Sequence, residues 1–118
     1  TGIELAKKLD LKLCLDISHT KLACNFMNID LLRVLPDLIQ YSDHFHIADA
    51  DNQNGEGLQI DKGEINFIEV FKILSQSHLY SKSKSIKNFS WIPEIWRGHE
   101  NQGFGFKVAL NQLSEYNL

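Results

Sequence analysis

The chain has 118 residues, 43% of them hydrophobic and 23% charged, the make-up of one soluble globular domain with a core of its own. A formal net charge of -3 leaves no electrostatic footprint for nucleic acid or an anionic membrane surface. No apolar run approaches the roughly 18 residues of a membrane span, and the amino terminus lacks the pattern of a signal peptide.

The first segment, TGIELAKKLD, has no initiating Met and reads as the tail of a helix already under way, which hints at a piece of a longer chain. A strand is expected over residues 11–17, where Leu11, Leu13, Leu15 and Ile17 alternate with Lys12, Cys14 and Asp16. Cys14 and the second cysteine, Cys24, have no C-x-x-C spacing. Cys14 is therefore expected as a small core residue, and so few cysteines suit a cytoplasmic protein. Within residues 28–41, Leu31, Val34, Leu35 and Leu38 mark one buried helical face, with a kink or break expected at Pro36.

A second strand is expected over residues 44–50, followed by a long loop rich in Gly, Asn, Asp and Gln. Asn66 and Glu69 then have the spacing of a capping box, and Phe67, Val70, Phe71 and Leu74 repeat the helical face. A lysine-bearing polar loop leads to a third strand over residues 90–96, and a last helix covers about residues 104–116. Three strand-then-helix units with nearly apolar strands predict a parallel sheet with helical crossovers. The absence of G-x-G-x-x-G after the first strand argues against a dinucleotide fold.

In parallel βα folds the loops gather at the C-terminal ends of the strands, so polar residues there are the candidates for chemistry. The first end carries Asp16 and His19; the second His46, Asp49 and Asp51; the third Glu94, Arg97, His99 and Glu100. Each has a plainer reading: Asp16 as a turn cap with His19 on the surface, His46 as a core histidine, Glu94 as a buried partner of Arg97 or a lysine. Taken together, two carboxylates and one or two imidazoles around one space suit a divalent ion.

The order D-x-x-H at Asp16 and His19, H-x-x-D at His46 and Asp49 with a glycine-rich loop ending in K-G-E-I, and P-E-x-W around Glu94 resembles the xylose-isomerase-like TIM barrels. The segments LCLDISHTKLACN, HIADADNQNGEGLQIDKGEI and WIPEIWRGHENQGFGFKVALNQL look more specifically like the C-terminal barrel module of long bacterial sialic-acid-synthase-like proteins. The resemblance implies the last three or so βα units of a (β/α)8 barrel, acting in surface-polysaccharide sugar biosynthesis. It implies Asp16, His46 and Glu94 as ligands of Mn²⁺, Zn²⁺, Fe²⁺ or Mg²⁺, with Glu94 also a catalytic base and His19 catalytic. Asp49, Glu56, Lys62 and Arg97 are then expected to contact substrate, a sugar or sugar phosphate. The family's other key Glu lies on an earlier strand that this chain does not contain, and Gly57 stands where a His often does.

Three functions follow as expectations. The first is a metal-dependent sugar isomerase or epimerase, moving a proton next to a carbonyl under a loop over residues 52–63 that closes on the sugar. The second is an endonuclease-IV-like phosphodiesterase, which needs more ligands and a basic surface; Lys82, Lys84 and Lys87 could touch phosphate, with a solvated loop as their plainer reading. The third is a structural or regulatory module that associates with the rest of a barrel or with a second copy.

Overall fold

The computed structural model describes residues 1–83 and 86–118, which leaves Lys84 of the polar loop outside the described residues. In chain order the elements are α1 (Gly2–Leu9), β1 (Leu13–Asp16), α2 (Ile17–Met27), α3 (Leu31–Ile39) and β2 (Ser42–Ile47). Then come β3 (Asp49–Asp51), β4 (Gly55–Leu58), α4 (Phe67–Ser75), β5 (Ser90–Pro93) and α5 (Glu100–Glu115). Strands β1, β2 and β5 form a three-stranded parallel sheet in the order β1-β2-β5. The chain is thus an α/β domain with a parallel sheet, as the strand-helix alternation predicts. Among the described residues, no helix is long and apolar enough to cross a membrane.

One face of the sheet builds the core. Leu15, Phe45 and Ile47 point to it and join Leu31, Leu35 and Ile39 of α3 with Phe67, Val70, Phe71 and Leu74 of α4. The opposite face carries the alternate residues: Cys14 and Asp16 on β1, His44 and His46 on β2, Ser90 and Ile92 on β5. Ser90, Ile92 and Cys14 are exposed there, so Cys14 is not the core residue expected. The reason is the period of two: with Leu15 inward, Cys14 must face outward.

Thr1 caps α1, its hydroxyl accepting the Glu4 N–H. Three expectations change locally. Helix α3 runs through Pro36 without a break. The second strand ends at Ile47, and the loop after it is a built hairpin, with β3 and β4 antiparallel and Asp51 opposite Gly55. Helix α2 had no expected counterpart, because its apolar residues form no continuous stripe: Phe26 and Met27 are exposed while Ile17 and Cys24 are buried.

Asn66 caps α4 as expected, accepting the Glu69 N–H at 3.2 Å. In α5, Asn101, Gln102 and Gly103 adopt left-handed backbone, so the regular helix starts at Phe104, close to the expected residue 104.

Candidate functional site

Asp16 is both the last residue of β1 and the N-cap of α2, and it divides its two oxygens between these positions. Its Oδ1 accepts the His19 N–H at 2.8 Å, which starts the helix. Its Oδ2 lies 2.7 Å from His19 Nδ1 and 4.0 Å from His46 Nδ1. The D-x-x-H spacing is therefore the cap-to-N3 spacing, and it puts the His19 ring over the strand end.

His46 sits opposite Asp16 in the parallel register. Glu94 follows the last residue of β5, and its N–H still bonds the Ile47 carbonyl at 3.0 Å, extending the ladder by one step. That step turns its carboxylate to His46 Nδ1, 2.7 Å away. Donor atoms of Asp16, His46 and Glu94 lie within 4.8 Å of one another, a grouping able to hold a metal ion. Glu94 was expected to be buried; instead its side chain is 51% exposed, because the cleft opens beside it. Arg97 is not its partner, since Arg97 Nε donates to Glu100 Oε1 at 2.6 Å.

The second carboxylate on His19 is Glu56 of β4, whose Oε2 is 2.8 Å from Nε2. Carboxylate oxygens at both ring nitrogens favour the imidazolium, the form that donates from both. The hydrogen bond to Asp16 pushes the His19 pKa up first; partial burial opposes it, and the Asp16 charge and the Glu56 bond reinforce it. Cys14, by contrast, is held as a neutral thiol: desolvation pushes its pKa up, and the Asp16 and Glu94 charges add to the effect.

Hairpin β3-β4 forms one wall of the cleft and is tied down from two sides. The Ser18 hydroxyl donates to the Asp49 carbonyl and accepts the Gly57 N–H, both at 3.1 Å. The Gly57 carbonyl accepts the Trp96 N–H at 2.7 Å. Gly57 has a φ of +65°, and a Cβ there would stand 3.1 Å from the Trp96 nitrogen. A histidine at position 57 would not fit this backbone, which accounts for the glycine.

Asp49 does not face the cleft. It is fully buried, with Oδ1 accepting the Ala50 and Ile65 N–H groups and Oδ2 accepting that of Gly63. Gly63 approaches so closely that a Cβ would lie 2.3 Å from the Ala50 carbonyl oxygen. The K-G-E-I segment thus closes onto Asp49, and this aspartate holds the loop instead of a ligand. Lys62 is exposed and lies outside the cleft lining.

The cleft encloses about 620 Å³ and is lined by Asp16, His19, Glu56, Glu94 and Arg97 of the expected residues. Ser18, Trp96 and His99 line it as well. Ser18 gave no signal in the sequence, because its role is to join two backbone groups distant along the chain. Trp96 stands within the P-E-x-W string and is 71% exposed, an indole laid open at the cleft wall. A second recess, among Asn25, Asn28, Asn52 and Glu64, gathers amides without a comparable ligand cluster.

Compared with known proteins, the chain matches no family model, no curated protein and no solved structure.

Proposed function

We propose that the cleft is the site of a metal-dependent sugar or sugar-phosphate isomerase or epimerase, carried by about three βα units of a (β/α)8 barrel. The observation that supports this most is the convergence of Asp16, His46 and Glu94 from three neighbouring parallel strand ends. Two carboxylates and one imidazole fit Mn²⁺, Zn²⁺, Fe²⁺ or Mg²⁺, which Asp16, His46 and Glu94 would hold. When bound, such an ion supplies Lewis acidity that eases loss of a proton next to a carbonyl.

The rest falls to the chain. Glu94 is the half-exposed carboxylate at the cleft and takes the proton. His19, charged between Asp16 and Glu56, directs its Nε2–H to a substrate oxygen when the sugar displaces Glu56. Trp96 offers an apolar wall to the C–H face of the sugar, and Arg97 a cation for a phosphate. On this reading, the resemblance to sialic-acid-synthase-like proteins supports a role in surface-polysaccharide sugar synthesis, in the cytoplasm.

A second reading is favoured by the uncovered sheet face. Cys14, Ser90 and Ile92 are exposed on it, and among the described residues no strand pairs the outer edges of β1 and β5. On this reading the chain is a structural or regulatory module that docks onto the rest of a barrel or a second copy.

Calorimetric titration with Mn²⁺ and solvent deuterium exchange into candidate ketoses test both. The enzyme reading expects one ion per chain, lost in Asp16→Ala and Glu94→Gln, and deuterium in the substrate ketose. Stoichiometric binding retained in both variants refutes the site. Binding without exchange selects the module.

A further inference from the structure

Next to the carboxylate cluster, one step back along the strands, the open sheet face gathers a different set of donors. Cys14 and His44 are register partners on β1 and β2, and His46 follows two residues later on the same face. One donor atom each from Cys14, His44 and His46 lies within 4.8 Å of the others. The two imidazoles meet edge to face with centroids 5.4 Å apart. His44 Nδ1 is 2.7 Å from the Ser90 hydroxyl on β5, which fixes that ring from the third strand and leaves Nε2 as its donor. His46 turns Nδ1 to Glu94, so its ring likewise keeps a second nitrogen.

We propose that Cys14, His44 and His46 form a second cation site on the open sheet face, of sulfur and imidazole character and suited to Zn²⁺, which displaces the thiol proton to solvent as it binds. Sulfur with two nitrogens selects zinc over Mg²⁺ or Mn²⁺, which prefer oxygen and are left to the carboxylate site. Three protein ligands and an exposed face leave a fourth position for water or a ligand, the arrangement of reactive zinc sites and not of closed structural ones. The preference arises from side-chain alternation: the strands that turn Leu15 and Phe45 into the core turn Cys14, His44 and His46 out together. Cys24, the other thiol, is buried at 2% exposure and serves as an internal control.

Titration of the reduced protein with Co²⁺, a spectroscopic substitute for Zn²⁺, tests the site. The expected result is a sulfur-to-cobalt charge-transfer band that saturates at one equivalent and is displaced by Zn²⁺. Cys14→Ser abolishes the band, Ser90→Ala weakens Co²⁺ binding about tenfold, and Cys24→Ser retains the band. A second measurement needs no variant: Zn²⁺ slows alkylation of Cys14 in the native protein, and Mg²⁺ does not. No charge-transfer band in the wild type, a band surviving in Cys14→Ser, a band lost in Cys24→Ser, or equal alkylation with the two ions would each overturn the proposal.

Discussion

Replacing Asp49 by Ala tests whether the cleft wall rests on one buried carboxylate. The side chain accepts three backbone N–H groups, from Ala50 at 2.8 Å, Ile65 at 3.1 Å and Gly63 at 2.8 Å. Two of these bonds are buried, while the Gly63 bond is only partly so and its donor can reach water. Each orphaned buried donor costs about 1–3 kcal/mol, so two give roughly 2–6 kcal/mol. Relief of the desolvation of a buried charge offsets part of that loss, which leaves about 2–4 kcal/mol. Asp49→Asn keeps an oxygen for Ala50 and Ile65 but turns an amide donor toward the Gly63 N–H, so it costs less, about 1–2 kcal/mol. Urea unfolding followed by circular dichroism measures both, and amide exchange at Ala50 and Ile65 reports the local loss. An Asp49→Ala protein within about 0.5 kcal/mol of wild type, or unchanged exchange at those two amides, would refute this account of the loop. The effect extends to the cleft, because Ser18 bridges the Asp49 carbonyl to Gly57.

Two more predictions concern other joints of the fold. Gly57→Ala places a side chain in left-handed backbone and against Trp96, and is expected to cost about 1–3 kcal/mol; thermal unfolding that shows no loss would contradict the pinned hairpin. Tyr116 donates its hydroxyl to both Asp61 oxygens, at 2.8 and 3.0 Å. Desolvation and then that hydrogen bond push its pKa up to about 12. The folded state thus favours the neutral phenol, so the contribution to stability is complete below the ordinary tyrosine value near 10 and is lost as pH rises through about 12. Phenolate absorbance, with Tyr116→Phe as the difference, is expected to show this late titration, and an ordinary midpoint would refute it.

Local sequence carried much of the architecture. The strand-helix alternation predicted the parallel sheet, and the positions of Asp16, His46 and Glu94 at strand ends were legible because the parallel fold brings those ends together. The Asn66 cap was legible too, since capping depends on residues three apart. Helix α2 was not, because it lacks an apolar stripe and is fastened by contacts remote in sequence, such as the Ser18 bridge to Asp49 and Gly57.

What the chain alone determined, then, is the order of the elements and the residue types that arrive at each strand end. Tertiary structure decided how each residue is used. It turned Asp49 inward to three amides and Cys14 outward to an open face, although both stand in strands of similar pattern. It also divided Asp16 between a helix cap and the imidazoles of His19 and His46. The physical reason is that a carboxylate or thiol has several possible partners of comparable energy, and only the packing of distant segments sets which of them it meets.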